Sequence, residues 1–383
     1  MSKVKNFFKK RKAAILQLLG SLGMLMIAAV IGIIAGLYKT NNIDKYINEA
    51  VEYFDESNWS ALYQYAEAID NDFINEYFFE QMAENVYGSI KEGEASVGEI
   101  KKDGDKAYAV VTYKTEAGEA SEVKLYFDQK DEKNYLFFNK WKLNIENDII
   151  WESSITAPAG FEVYLDGVQL TSDNAVIERD EAAGIDVYTV PRLFKGEHTI
   201  YLQKDGIEVV EADVTWNEDK SSYESDIAKL QLGQAQTDSI EQAGKDIVKG
   251  MYAAIFSESG ITDVSQYFKQ DEATLAMLTA IYDNMLAAIN PEDGSTLNSI
   301  DITGFTTDKF DYIYPDKVDL TMTFQCEFAA RGKRSDKGGV RERYEGTTSS
   351  QIVMHFVKNG EDWICENLDM TCIDYSKQEE ATE

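Results

Sequence analysis

Residues 13–38 read AAILQLLGSLGMLMIAAVIGIIAGLY, without one charged side chain. About 20 apolar residues rising 1.5 Å each cross the hydrocarbon of a bilayer, so this run predicts a transmembrane helix over 13–38. A secretory signal peptide is the rival reading, but its apolar core runs about 7 to 15 residues before a small-x-small cleavage site, and this run is longer. Beyond it the apolar positions fall at intervals of three and four. Ile43, Tyr46, Ile47, Ala50, Val51 and Phe54 mark an amphipathic helix after the capping residues Asn41 and Asn42, and further helices are expected over 59–69 and 73–89. Then the period changes to two. Ala107, Ala109, Val111 and Tyr113 share one face of a strand, Val123, Leu125 and Phe127 share one face of the next, and the segment closes on FNKWKLNIE.

The same order returns downstream. Ala243, Ile247, Val248, Met251, Tyr252 and Ile255 mark a helix from Ile240, a short one follows over 264–268, and Leu275, Leu278, Tyr282, Met285 and Ile289 mark a third that stops at Asn290 and Pro291. Strands follow, closing on KNGEDWICE. The motif DK-A-x-A-x-V-x-Y from Asp105 parallels DK-V-x-L-x-M-x-F from Asp316, and Trp141 parallels Trp363. The pattern is an internal duplication of a unit of helices followed by a sheet. Between the copies, FEVYLDGVQL, IDVYTVPRLFKGEHTIYL and IEVVEADVTW alternate without helical period, which predicts a small antiparallel sandwich. The polar stretch 217–237 is expected to be a linker, partly helical.

The expected fold class is therefore α+β: an N-terminal transmembrane helix, then two domains of helices on a curved antiparallel sheet flanking a small all-β sandwich. The expected divisions are a basic stub 1–12, the helix 13–38, a first cone-like domain 41–149, the sandwich 150–216, the linker 217–237, a second cone-like domain 238–375, and a disordered tail 376–383.

Charge orients this arrangement. Residues 1–40 hold seven Lys or Arg and no acid, while the remainder carries 30 basic against 68 acidic side chains, a net of −38 in a chain of net −31. Lys3, Lys5, Lys9, Lys10, Arg11 and Lys12 precede the helix and only Lys39 closely follows it, so the positive-inside rule puts the N-terminus in the cytoplasm and the bulk outside. A polyanionic exterior repels nucleic acid and anionic lipid. Against that background RGKRSDKGGVRER, residues 331–343, gathers six cations and two acids. From Asp105 to Trp141 is 36 residues and from Asp316 to Trp363 is 47; most of the excess falls at this stretch, where the first copy has the short turn EAGEA. It is an extended hairpin tip. Its plain reading is a solvated loop; its functional reading is that Arg331, Lys333, Arg334, Lys337, Arg341 and Arg343 bind a polyanion, since screening limits their field to about 8–10 Å and the global charge does not cancel a local site. Ala28, Gly32 and Gly36 form a small-residue face on which two membrane helices approach, although such residues are also common in membrane helices generally.

Helices followed by a sheet that ends in NKWKL and NGEDWIC resemble the nuclear-transport-factor-2-like cone. ITAPAGFEVYLDG and KGEHTIYL resemble the PEGA-type extracellular sandwich. A basic stub, one membrane helix and these modules in this order are similar to the TcaA-like envelope proteins of Gram-positive bacteria, although the cytoplasmic zinc ribbon usual there has no counterpart in the twelve residues before the helix. The resemblance implies a non-catalytic envelope protein tied to wall polymer or to cell-wall-antibiotic responses, contacting wall teichoic acid or envelope protein partners; an accessory or sensor subunit acting through the membrane helix is the alternative.

Chemistry is sparse. The chain owns two histidines, His198 and His355, one in each of two expected domains, and no GxSxG, HExxH, CxxC or P-loop spacing. No cofactor, metal or catalytic residue is therefore expected. An acid-base pair in a cone pocket is the enzymatic alternative, but the inward positions Ala107, Ala109, Val111, Tyr113, Leu320, Met322 and Phe324 fill a cavity rather than equip it. Cys326 is expected to be a buried filler among Val318, Leu320, Met322, Phe324 and Phe328; Cys365 and Cys372, seven apart, point to opposite faces of a regular strand, and a disulfide between them stays open.

Overall fold

The computed structural model describes residues 21–38, 42–134, 138–332 and 342–375. Residues 21–38 are helical, here α1, and Leu22, Met24, Leu25, Ile27, Ile31 and Ile33 lie more than half exposed on it. The helix beginning at Ser21 is long and apolar enough to cross a membrane. The stub 1–12, the start of the span and the tail 376–383 lie outside the described residues.

Contacts group the chain into two units, Met1–Ala159 with Val163–Tyr201 and Glu211–Glu224, and Gly160–Glu162 with Leu202–Val210 and Ser225–Glu383. In the first, α2 (Ile43–Asp55) starts at Asn42, whose side chain accepts the Ile43 N–H. Next, α3 (Trp59–Ala66) stops three residues short of the expected 59–69 because Glu67 turns left-handed at φ 49°. Similarly, α4 (Glu76–Tyr87) is shorter than the expected 73–89. Asn71 accepts the N–H groups of Phe73 and Ile74 in a local turn, and Asn75 then caps the helix through the Phe78 N–H. Such Asn turns compete with the helix for backbone donors, and apolar periodicity does not register them.

The strands β1 (Ser96–Asp103), β2 (Lys106–Lys114), β3 (Ala120–Asn134) and β4 (Phe138–Asn144) form a sheet in that order. β1 escaped the sequence reading because it has no buried position and hence no alternation. Ala107, Ala109, Val111 and Tyr113 of β2 are buried as expected, against Ile47, Phe54, Leu62 and Phe79 of the helices.

The predicted sandwich comprises β5 (Ile149–Pro158), β6 (Glu162–Leu165), β7 (Val168–Gln169), β8 (Val176–Asp180), β9 (Ile185–Phe194), β10 (Gly196–Gln203), β11 (Val210–Trp216) and β12 (Ser222–Glu224). They make two four-stranded sheets, ordered β11-β10-β6-β7 and β12-β5-β9-β8. Here the linker expectation is corrected. β12 lies inside 217–237 and pairs in parallel with β5, and Leu230 and Leu232 are buried; the expected helical part is present, as a 3-10 turn at Ile227–Lys229 and the start of the next helix at Gln234. Polar composition hid β12 because a three-residue strand offers too few apolar positions to show a period.

The second unit has α5 (Gln234–Ser257), a 3-10 turn at Ser265–Tyr267, α6 (Glu272–Ile289) capped by Asp271, and a sheet of β13 (Thr296–Ile313), β14 (Lys317–Arg331), β15 (Arg343–Asn359) and β16 (Asp362–Asp369) in that order. α5 touches the sheet at Gly244, where an added Cβ would come within 2.8 Å of Met354 Cε, 3.0 Å of Met322 Sδ and 3.1 Å of Leu320 Cδ2. The DK landmarks occupy equivalent places in the two sheets, each opening the second strand. The Asp105 carbonyl accepts the Gln129 N–H at 2.8 Å and the Asp316 carbonyl accepts the Lys358 N–H at 2.9 Å, in both cases from the third strand. Trp141 and Trp363 both lie on the fourth.

Candidate functional site

β14 and β15 pair without a register shift from Lys317 opposite Val357 to Arg331 opposite Arg343. Because strand side chains alternate and the even-numbered residues 318–330 of β14 are buried, the odd-numbered positions form the outer face. Arg331 and Arg343 are therefore outward-facing and directly opposite each other at the last pair. Gly332 N–H donates to the Glu342 carbonyl at 2.9 Å just beyond them. Of the six predicted anion-binding residues, the structure brings these two together; Lys333, Arg334, Lys337 and Arg341 lie outside the described residues.

The hairpin leading to the pair is firmly packed. Phe328 lies opposite Gly346, and its ring meets Tyr344 edge-on with centroids 6.3 Å apart. Tyr344 in turn donates to the Tyr375 carbonyl at 2.6 Å. On the outer face, behind the two guanidinium groups, Asp301 pairs with Glu327, and both line a depression with Glu345, Ser299 and Thr347. Sequence reading singled out the cations and missed these acids, which come from three strands. Like charges directly opposite destabilise a ladder, so an anion placed between Arg331 and Arg343 would relieve their repulsion.

In α1, Ala28, Gly32 and Gly36 are exposed and follow one another at intervals of four, which puts them on one face. A Cβ added at Gly32 or Gly36 meets nothing within 4 Å, so that face can accept a close neighbour.

Both histidines sit on strands, and each meets an aspartate. His198, on β10 and 8% exposed, has Nδ1 2.7 Å from Asp166 Oδ2 and Nε2 2.9 Å from the Phe194 carbonyl. Asp166 also accepts the Thr199 N–H at 2.8 Å. The Asp-Gly of YLDG and the His of KGEH thus fasten two strands of one sheet, a pairing that the sequence displayed as two separate motifs. His355 Nδ1 lies 2.6 Å from Asp319 Oδ1 on the outer face of the second sheet, both side chains 38% exposed. No third polar group completes a nucleophile arrangement at either pair among the described contacts.

The three cysteines are free thiols, which answers the open question on Cys365 and Cys372. Burial pushes the Cys365 thiol up to about 12 and the Cys372 thiol up to about 11. Among the described residues no group of three His, Cys, Asp or Glu side chains is placed to hold a metal ion.

No family model matches the chain, and no curated protein does. A solved structure described as an "Ntf2 like protein involved in plasmid conjugation" aligns over 85% of this chain and 96% of its own, at 10% identity and a TM-score of 0.18. At that score the likeness supports no argument about fold or function.

Proposed function

We propose that this chain is a single-pass membrane protein whose folded part lies outside the cell in a Gram-positive envelope, where it binds or scaffolds anionic wall polymer, such as wall teichoic acid, through the cationic hairpin. It works by contact, without turnover. The observation carrying the proposal is Arg331 directly opposite Arg343 at the described end of β14 and β15. A phosphate or another anion between two guanidinium groups turns a repulsive pair into a bidentate clamp. The apolar N-terminal helix and the Lys/Arg bias before it support the outward orientation, and the envelope setting rests on the sequence resemblance to TcaA-like proteins alone.

The test is binding of the full-length protein in detergent to isolated wall teichoic acid across a salt series. The wild type should lose affinity as salt rises, and the variant carrying both Arg331→Gln and Arg343→Gln should bind more weakly with a shallower salt slope. Salt-insensitive or absent binding by the wild type ends the polymer reading. A second reading, an accessory subunit of a membrane complex, is favoured by the open face at Gly32 and Gly36. Replacing both by Leu should abolish co-purification of a partner while leaving polymer binding unchanged.

A further inference from the structure

A cavity of about 510 Å³ in the first unit is lined by five consecutive residues of β3, Glu122, Val123, Lys124, Leu125 and Tyr126. Successive side chains of a strand point to opposite faces, so a space touching all five meets the strand at its edge. Strand pairing explains why that edge is open. β4 joins β3 only from Tyr126 onward, opposite Asn144, and the chain then leaves through a 3-10 turn at Glu146–Asp148. Residues 120–125 are paired through β2 alone.

The direction of each peptide group follows from the ladder. Gln129 N–H donates to the Asp105 carbonyl, and Thr115 N–H donates to the Glu119 carbonyl, at the two ends of the β2–β3 pairing. Antiparallel pairs alternate between bonded and non-bonded, so stepping by two from either end assigns the peptide groups of Ser121, Val123 and Leu125 to β2. Those of Glu122 and Lys124 face the other way, into the cavity.

The rest of the wall is equally definite. Leu62, Phe79 and Leu143, each at most 3% exposed, line its apolar part. Asp148 accepts the Tyr87 hydroxyl at 3.2 Å and pairs with Lys195 Nζ at 2.7 Å. Burial holds the Tyr87 hydroxyl well above its ordinary value, so it stays a donor. Lys124, Glu122 and Glu218 also line the cavity, so with Lys195 and Asp148 its charged side chains are two cations and three acids.

We propose that this cavity is a docking slot for an extended peptide segment of another protein, which adds to β3 as an extra strand beside residues 120–125. One apolar side chain of the incoming strand enters among Leu62, Phe79 and Leu143. A peptide is favoured over a compact small molecule because two backbone amide groups, each offering N–H and C=O, point into the slot. A second strand at about 4.8 Å answers both at once. The volume lies within the range of about 300–1,000 Å³ typical of ligand sites. The wall sets Lys124 and Lys195 against Glu122, Asp148 and Glu218, so no strong net charge selects the ligand and selection falls on backbone conformation and on alternating apolar character. This site is separate from the cationic hairpin and stands whether or not that hairpin binds polymer.

The test starts from a displayed library of random linear dodecapeptides, selected on the full-length protein in detergent; the winners are resynthesised with a fluorophore. Selected peptides should carry apolar residues at alternate positions, and their binding should slow amide exchange at Glu122 and Lys124. Lys124→Pro removes a slot-facing N–H while sparing the β2 ladder, as proline is tolerated where a strand's N–H faces outward; it should weaken binding at least ten-fold. Should that variant fail to fold, N-methylation of alternate peptide amides gives the same answer from the ligand's side, with at least ten-fold loss in one alternation and little in the other. The proposal is overturned if no peptide is selected, if exchange at Glu122 and Lys124 is unaltered by the selected peptides, or if N-methylation in both alternations leaves affinity intact.

Discussion

Gly346→Ala is a small perturbation at the base of the cationic hairpin, and its effect can be worked from geometry. A Cβ at this position would lie 2.8 Å from Phe328 Cζ and 3.0 Å from Cε1, where carbon atoms pack comfortably at about 3.5–4.0 Å. Rotating the ring does not relieve this, because Cζ lies on the Cβ–Cγ axis about which the ring turns. Relief needs a shift of the whole side chain, which is 8% exposed and packed edge-on against Tyr344, or a separation of β14 from β15. Overpacking of this kind costs about 1–3 kcal/mol. Against it stands about 0.5–1 kcal/mol gained by replacing a strand glycine with alanine. The net is a loss of about 0–2.5 kcal/mol. Gly304, on β13, is the control: its added Cβ meets Gln325 Oε1 at 3.7 Å, an ordinary contact, so Gly304→Ala should show the gain alone. The two variants should therefore differ by about 1–3 kcal/mol. With a urea slope of about 1–3 kcal/mol/M, their unfolding midpoints should separate by on the order of 0.5–1.5 M, measured on the full-length protein in detergent by fluorescence. Equal midpoints would refute the claim that the ring occupies space only glycine leaves.

Asn75→Ala removes the cap of α4, whose side chain accepts the Phe78 N–H and donates to the Asn71 and Asp72 carbonyls, and should destabilise the protein by about 0.5–2 kcal/mol in the same unfolding assay. His198→Ala removes the ring whose Nδ1 and Nε2 lie within hydrogen-bond distance of Asp166 and of the Phe194 carbonyl and should cost about 1–3 kcal/mol, while His198→Gln, which can still donate to one of them, should cost less. The half-buried Cys372 thiol, pushed up to about 11 by burial, forms thiolate only as pH rises toward that value. Iodoacetamide should therefore label it slowly at pH 8 and faster as pH approaches 11, whereas the urea-unfolded chain labels readily at pH 8; equal native and unfolded rates at pH 8 contradict the burial.

The sequence reading succeeded where one face of an element is buried over several turns. Ile43, Ile47, Ala50, Val51 and Phe54 on α2, and Val318, Leu320, Met322 and Phe324 on β14, repeat their apolar residues at the period of the element and are all buried. It failed where backbone partners rather than burial fix the structure. β1 is held by pairing with β2 while its side chains face water, and β12 is three residues joined to β5. Helix ends were set by polar side chains, Asn71 and Asn75, that carry no apolar signal. For the candidate site, the cations were visible as a local excess of charge, but their facing arrangement needed the β14–β15 register. The acids beside them, Asp301, Glu327 and Glu345, are distant in sequence and meet only through the sheet. The slot beside β3 was invisible for the same reason, because an open edge is a property of where β4 stops.

In the four-stranded sheet of each unit the third strand is only partly covered by the fourth. β4 pairs with β3 from Tyr126 onward, and β16 pairs with β15 from Val353 onward, leaving residues 120–125 and 343–352 joined only to the second strand of their own sheet. The shared DK landmarks fix equivalent registers, so these half-edges correspond. What differs is the turn before them. In the first unit it closes tightly, with Gly118 N–H donating to the Thr115 carbonyl at 2.8 Å, and the open stretch beside it faces a cavity lined by Leu62, Phe79 and Leu143. In the second the strands run on until Arg331 faces Arg343. The two sheets thus differ beside the same half-edge: the first presents backbone groups of Glu122 and Lys124 next to a cavity, the second a facing guanidinium pair, Arg331 on its second strand and Arg343 on its third.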